Sequence, residues 1–79
     1  MQIPTIDIQG TGANINTMRK RAGLSVRDIQ TATGLGSAQA VYKWLAGQSL
    51  PSVDNLVILS SLLNTSIDNI LVIHQHAAG

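Results

Sequence analysis

The sequence predicts an all-α domain of five short helices preceded by a short extended arm. Two observations lead to this prediction. Residues that favour helix N-caps, mainly Ser and Thr, alternate along the chain with Gly or Asn residues that favour helix ends. Between these signals apolar residues recur every three or four positions, which is the spacing of one helix face. The length of 79 residues is enough for one domain.

The N-terminal arm and helix 1 are predicted from β-branched residues and from a capping residue. Residues 1–10 are predicted to form an extended arm or short strand, because isoleucine is frequent there and Pro4 disfavours a helix. Helix 1 is predicted over about residues 12–22, with Thr11 as its N-cap. Its inward face is predicted to consist of Ile15, Met18 and Ala22.

Helices 2 and 3 are separated by a tight turn. Ser25 is predicted to cap helix 2, and Asp28 in the first turn complements the helix dipole. Gly34 is predicted to end this helix. Helix 3 is predicted to start at residue 37 or 38 and to run to residue 46, with Gly47 as its stop.

The last two helices also have serine N-caps. Ser52 is predicted to begin helix 4, which Asn64 closes in the left-handed conformation. Ser66 is predicted to begin a short helix 5. The inward residues of the two helices are predicted to be Leu56, Leu59, Ser60, Leu63, Ile70 and Leu71. Residues 74–79 are expected to be a flexible tail, so that the helical domain spans residues 11–73.

The basic residues are concentrated in one part of the chain. All five Lys and Arg residues lie between Arg19 and Lys43, where Asp28 is the only acid, so this stretch carries +4 although the whole chain carries +1. Such a patch attracts phosphate, and a solvated surface is the alternative interpretation. The apolar content of 44% against 11% charged residues indicates that some apolar surface meets a partner.

Composition argues against several classes of protein. The chain has no cysteine, no stretch apolar enough to span a bilayer and no signal-peptide pattern, so we expect a soluble, cytoplasmic protein. It has no Glu and no catalytic constellation, so we expect no enzyme activity and no cofactor. His74 and His76 could bind a metal as a pair, but no third ligand is in view and we expect a solvated tail.

Helix 3 carries the pattern that is most informative about function. One face is polar and consists of Gln39, Tyr42, Lys43 and Ala46 at positions i, i+3, i+4 and i+7. The other face is apolar and consists of Val41, Trp44 and Leu45. Glutamine can bind adenine through two hydrogen bonds, and lysine can reach guanine or phosphate. This pattern predicts a helix that reads the DNA major groove, with Trp44 in the core rather than stacked on a base.

In order and spacing these features resemble the Xre/Cro-type helix-turn-helix repressor family. The resemblance covers residues 12–72 and is carried by Met18–Ser25, Gly34, Val41–Trp44, Gly47, Leu50–Leu56 and Thr65–Leu71. In particular, the sequence resembles a subgroup of small regulators of low-GC Gram-positive bacteria with a Gln-Ala-hydrophobe-Tyr-Lys-Trp recognition segment. The resemblance implies a five-helix, lambda-repressor-like DNA-binding domain in which helices 2 and 3 form the helix-turn-helix.

The resemblance also implies a function and a set of contacts. We expect a cytoplasmic, nucleoid-associated transcriptional regulator that binds double-stranded DNA and acts as a repressor. The expected DNA contacts are Ser37, Ala38, Gln39, Tyr42 and Lys43 in or before helix 3, Ser25 and Arg27 at the start of helix 2, and Gln48 and Ser49 after helix 3. A homodimer held by helices 4 and 5 and the C-terminal segment would place two half-sites of a palindromic operator about 34–36 Å apart. The alternative is a protein-interaction module that uses the apolar helix 4–5 face to bind a protein partner, with DNA binding weak or lost.

Two departures from the family pattern affect these expectations. Val26 stands where many relatives carry Gln, so a DNA contact there is expected to be missing. Leu45 stands where relatives often carry a Glu that pairs with the arginine of helix 1, here Arg19. Arg19 is therefore unpaired, bound to a carbonyl at a helix end, or free to reach phosphate.

Overall fold

The computed structural model describes residues 2–77 and contains the five predicted helices together with a small two-stranded sheet. The helices are α1 (Ile8–Arg21), α2 (Val26–Thr33), α3 (Gln39–Leu45), α4 (Val53–Leu62) and α5 (Ile67–Ile70). The strands are β1 (Gln2–Ile6) and β2 (Ile73–Ala77), which pair antiparallel to form a terminal ribbon. Within residues 2–77, no helix has the length and hydropathy needed to cross a membrane.

All five helices contribute to one hydrophobic core. Its buried residues are Ile15, Ile29, Val41, Trp44, Leu56, Leu59 and Ile70. The predicted inward residues Met18, Leu63 and Leu71 pack against the edge of this core. Ala22 was predicted to face inward but is exposed, because α1 ends at Arg21 and Ala22 forms its C-cap. Because every helix supplies core residues, the position of α3 depends on the packing of the other four.

Helix boundaries follow the predicted capping residues closely. The side chains of Ser25, Ser52 and Ser66 each accept a hydrogen bond from the backbone N–H three residues later. Four helices end with the same pair of backbone hydrogen bonds, which satisfies carbonyls of the last turn. Each of these four helix ends has one residue with a positive φ: Gly23 after α1, Gly34 after α2, Gly47 after α3 and Asn64 after α4. The predicted N-caps of α2, α4 and α5 and the predicted helix ends are therefore confirmed.

Helix α1 begins four residues earlier than predicted, at Ile8. Asp7 is its N-cap and accepts a hydrogen bond of 2.9 Å from the Gly10 N–H. This bond holds the pKa of Asp7 below its ordinary value. Thr11, the predicted N-cap, is instead fully buried inside the helix, where its Oγ1 accepts a hydrogen bond of 2.9 Å from the Val72 N–H.

The prediction of a flexible tail is wrong for residues 74–77, which belong to β2. The register runs from Ile6 opposite Ile73 to Gln2 opposite Ala77. No local signal marks this strand, because the backbone that pairs with it comes from the other end of the chain. The last two tail residues, 78 and 79, lie outside the described residues, as does residue 1.

The two histidines of the predicted tail make contacts across the terminal ribbon. His74 Nε2 lies 3.0 Å from an Asp7 carboxylate oxygen, and His76 Nε2 shares a hydrogen bond of 2.6 Å with Thr5 Oγ1. The charge of His74 also contributes to the lowered pKa of Asp7, after the larger effect of the backbone N–H. Within residues 2–77 no three His, Cys, Asp or Glu side chains form a group that could hold a metal ion.

The backbone of α1 packs directly against the C-terminal end of α3. A Cβ atom on the buried Gly12 would collide with the Trp44 carbonyl oxygen and lie 3.0 Å from that of Leu45. A Cβ atom on Gly47, where φ is +74°, would lie 2.7 Å from the Cα of Gln9. The two chain segments approach this closely because neither glycine carries a side chain. This contact sets the distance between α1 and α3.

We predict that Gly12→Ala destabilises the fold by about 1–3 kcal/mol, because the added methyl group forces α1 away from α3. Helix propensity alone would change stability in the opposite direction by about 1 kcal/mol, so the sign of the effect is informative. Chemical denaturation measures the free energy of unfolding. The matched control is Gly36→Ala, since nothing lies within 4 Å of a Cβ built at Gly36. Equal stability of the two variants would contradict a tight α1–α3 contact.

Candidate nucleic-acid interface

Helix α3 has one face in the core and one face in solvent. Val41 and Trp44 are buried, and Leu45 is half-buried against the core. The exposed residues of this helix and its C-cap include Gln39, Tyr42, Lys43 and Ala46, and Tyr42 is 58% exposed. The predicted division of α3 into an apolar and a polar face, with Trp44 in the core, is thus confirmed. We name the exposed set of Gln39, Tyr42 and Lys43 the polar face of α3.

Helix α3 begins at Gln39, one or two residues later than predicted, because residues 37 and 38 belong to the preceding turn and the N-cap. Ser37 lies in this turn and is exposed, while Ala38 is the N-cap residue and is half-buried. No side chain caps the helix at Ala38. The Ser37 hydroxyl is therefore not used as a cap, and it lies immediately before the polar face of α3.

The start of α2 is closed by a reciprocal pair of hydrogen bonds. Ser25 Oγ accepts a bond of 3.0 Å from the Asp28 N–H, and the Asp28 carboxylate accepts one of 2.8 Å from the Ser25 N–H. The backbone N–H of Ser25 lowers the pKa of Asp28. The helix N–H groups of Val26 and Arg27 have no acceptor within the helix and remain for an external group.

Two side chains near this helix start differ in their environment. Arg27 is exposed, whereas Val26 is half-buried and packs against the core. The position that carries Gln in many relatives is thus used here for packing. That residue 26 makes no DNA contact stays a prediction.

Arg19 is bound to a carbonyl, which was one of the three alternatives left open by the sequence. Its Nη1 donates to the Leu24 carbonyl oxygen at 3.0 Å. Its Nη2 and Nε donate to Asn16 Oδ1 at 2.7 and 3.2 Å. The guanidinium therefore ties the end of α1 to the turn that leads into α2. The missing Glu partner is replaced by a backbone carbonyl and by an asparagine in the preceding turn of α1.

The loop after α3 completes the candidate interface, whereas Arg21 lies elsewhere. The Gln48 N–H donates to the Lys43 carbonyl oxygen at 2.9 Å, which keeps the loop beside the last turn of α3. Gln48 is exposed and Ser49 is half-buried. Arg21 is exposed too, but it lines a groove of about 380 Å³ between the end of α1 and the α4–α5 turn. Its neighbours in this groove include Leu63, Asn64 and Thr65, and no residue of α3 or its flanking turns lines the groove.

We predict that Arg19→Ala lowers the free energy of unfolding by about 1–3 kcal/mol, because it removes hydrogen bonds made by a charged donor and leaves the Leu24 carbonyl without one. Lys20→Ala is the matched control, since Lys20 is the neighbouring cation and is exposed. Urea denaturation of both variants measures the difference. An Arg19→Ala protein as stable as Lys20→Ala would show that the observed bonds contribute nothing to the fold.

Comparisons with known proteins agree with this architecture. The sequence profile of a family described as helix-turn-helix matches residues 15–70. The restriction-modification controller protein C.AhdI from Aeromonas hydrophila superimposes with a TM-score of 0.71 at 23% identity, over 81% of this chain and 96% of that one. The DNA-binding domain of BldD superimposes with a TM-score of 0.67 at 21% identity, over 84% of this chain and 94% of that one.

The two kinds of comparison support different conclusions. No curated protein matched the sequence. The structural neighbours have identities of 23% and 21%, so their likeness concerns the fold. The family profile covers most of the chain, from the middle of α1 to the end of α5, and includes the capped α2–turn–α3 unit. The chain therefore belongs to the helix-turn-helix family, in its Xre/Cro-like branch of DNA-binding regulators.

Proposed function

We propose that this protein is a transcriptional regulator that binds a specific double-stranded DNA sequence through α3 in the major groove. The observation that carries the proposal is the polar face of α3, whose hydrogen-bonding side chains are exposed while the back of the same helix is fixed in the core. A major groove about 12 Å wide accepts one α-helix. A rigidly held helix can present its side chains to base edges with little loss of conformational freedom on binding.

Each residue of the polar face has a distinct proposed role. The Gln39 amide both donates and accepts, which matches N6 and N7 of adenine. The Lys43 ammonium matches O6 and N7 of guanine and also attracts phosphate. The Tyr42 hydroxyl is proposed to bond phosphate, or its ring to pack on a thymine methyl group. Ser37 and Ala38 lie at the N-terminal end of α3, and in this arrangement they would be close to the base pairs that Gln39 contacts.

Contacts to the DNA backbone are proposed on both sides of α3. On one side, Arg27 and the free N–H groups at the start of α2 would hold a phosphate, with the Ser25 hydroxyl as a further donor. Asp28 reduces the attraction there, because its carboxylate lies at the same helix end. On the other side, Gln48 and Ser49 follow α3 directly and would contact the opposite strand.

We further propose that the protein acts as a homodimer on a palindromic operator. A two-fold axis would place the two α3 helices in successive major grooves, about 34–36 Å apart. Repression would then follow from occupation of a promoter, and no catalytic step is required. The proposed site of action is the nucleoid.

The second candidate function is a protein-interaction module, and one observation favours it. Val53 and Val57 are one helical turn apart on α4, with exposed fractions of 74% and 54%. Ile58 and Leu62 of the same helix are half-buried. Such exposed valines suit a protein partner, but a dimer contact would use them equally well. DNA titration separates the two functions.

We predict distinct effects for the two central side chains of the polar face. After selection of an operator from a random duplex library, Gln39→Ala should reduce the preference for operator over random duplex by about tenfold to a hundredfold. Lys43→Ala should weaken binding to both and reduce the slope of log K against log salt by about 0.9 for each bound protomer. Fluorescence anisotropy titrations at several salt concentrations measure both quantities.

The controls are a matched glutamine and a matched cation away from α3. Gln2→Ala changes an exposed glutamine of β1, and Arg21→Ala changes the exposed cation beside the α4–α5 turn. Both are expected to bind like the unchanged protein. Failure to bind any duplex at low salt would exclude the regulator and leave the protein-interaction module.

A further inference from the structure

The terminal ribbon is held at its base and exposed along the rest of its length. Asp7 N–H donates to the Val72 carbonyl oxygen at 2.8 Å, next to the buried Thr11 that binds the Val72 N–H. Beyond this base, all described side chains of residues 2–6 and 73–76 are exposed. Ile3, Ile6 and Ile73 are between 41% and 47% exposed. A two-stranded sheet is marginally stable alone, and a further strand would stabilise it.

The hydrogen-bond pattern identifies which backbone groups point away from the ribbon. Asp7 and Val72 continue the register by one pair beyond Ile6 and Ile73, and the bond between them marks a hydrogen-bonded pair. Hydrogen-bonded and non-hydrogen-bonded pairs alternate in an antiparallel ladder. Pro4 and Gln75, which face each other, therefore form a non-hydrogen-bonded pair. Their backbone nitrogen and carbonyl groups point to the outer edges of the ribbon.

The two outer edges differ because of Pro4. Proline has no N–H, so the outer edge of β1 lacks a donor at its centre, and this discourages a strand from pairing there. The outer edge of β2 has no such block, because Ile73 and Gln75 present both N–H and C=O groups to it. Within residues 2–77, the sheet order β1-β2 leaves this edge of β2 without a neighbouring strand.

The β2 sequence is suited to pairing with itself. Residues 73–77 read Ile-His-Gln-His-Ala, which is nearly symmetric about Gln75 and carries no Lys, Arg, Asp or Glu. Charged residues on an edge strand are a common device against such pairing, and both strands of the ribbon lack them. Antiparallel pairing of a strand with its own copy is two-fold symmetric, so it closes as a dimer.

From these observations we infer that the outer edge of β2 binds β2 of a second copy of this chain, with Gln75 opposite Gln75 of the partner subunit. The result is a four-stranded antiparallel sheet with β1 on both outer sides, where Pro4 stops further addition. The inference names the interface of the dimer in the proposed function, and it rests on that function only for the biological use of the dimer.

The position of the ribbon is consistent with such a dimer on DNA. The ribbon base lies directly before α1, whose residues Gln9 and Gly12 contact the end of α3. About 10 Å of strand separates this base from Gln75. In such a dimer this length would supply part of the roughly 17 Å between the two-fold axis and one half-site.

The inference is tested on the full chain by analytical ultracentrifugation of Gln75→Pro. Because the Gln75 N–H points outward, proline there removes no hydrogen bond of the ribbon itself and only blocks the edge. We expect the unchanged chain to dimerise and Gln75→Pro to dimerise at least about tenfold more weakly. Gln2→Pro is the matched control, since it adds proline to the edge that Pro4 already blocks, and it should dimerise normally.

A cross-linking measurement keeps the test decisive if Gln75→Pro disturbs the ribbon. The chain has no cysteine, so Gln75→Cys introduces one thiol per protomer. Opposed residues of a hydrogen-bonded pair have Cα atoms about 5.5 Å apart, which a disulfide can span. Oxidised glutathione should therefore link Gln75→Cys into a covalent dimer and leave Gln2→Cys mainly monomeric.

Two sets of outcomes separate this inference from the proposed function. A monomeric unchanged chain, unimpaired dimerisation of folded Gln75→Pro, or equal cross-linking of both cysteine variants would overturn the β2 interface. Binding of a single half-site duplex is measured in parallel. If folded Gln75→Pro binds the half-site like the unchanged chain, the proposed DNA binding is supported whatever the result for the ribbon. If the unchanged chain does not bind the half-site, the result counts against the proposed function.

Discussion

The close approach of α1 to the C-terminal end of α3 is the contact on which the rest of the structure depends. It exists because Gly12 and Gly47 leave room for backbone against backbone. The side chain of Trp44, in the last turn of α3, is buried in the core. Helix α3 is therefore fixed by a backbone contact at its end and by packing behind it. Its polar face remains exposed and oriented, which is the condition for reading DNA with a helix of seven residues.

The same α1 segment also organises the chain termini. Its first turn is capped by Asp7, and the buried Thr11 and the Asn14 amide bind backbone groups at Val72 and at the end of α5. The first turns of α1 thus contact both the C-terminal end of α3 and the base of the ribbon. An interface formed by the ribbon would be mechanically connected to α3 through a few residues of α1. Recognition and dimerisation would then share one rigid element.

Features determined by local interactions were predictable from the sequence. The serine caps, the helix ends and the two faces of α3 depend on residues within one or two turns, and the structure agrees with them. Features determined by distant residues were not. The prediction of Thr11 as the N-cap was wrong, because the helix includes Gly10 and Gly12 and begins at Ile8, where Asp7 is the N-cap. Strand β2 was missed because the strand that pairs with it lies at the other end of the chain. The carbonyl that accepts a hydrogen bond from Arg19 could not be chosen from the sequence, because it is brought close only by the fold of the α1–α2 turn. The DNA-contact residues stay predictions.

An NMR titration of the isotope-labelled chain with its selected operator duplex tests directly whether α3 binds DNA. We predict that amide shifts change most in the turn before α3, along the polar face of Gln39, Tyr42 and Lys43, and at the start of α2. Amides of the core residues Ile15 and Leu59 should change little, because binding does not rearrange the core. Shift changes confined to the α4 surface around Val53 and Val57, with α3 unaffected, would contradict the central claim that α3 reads DNA.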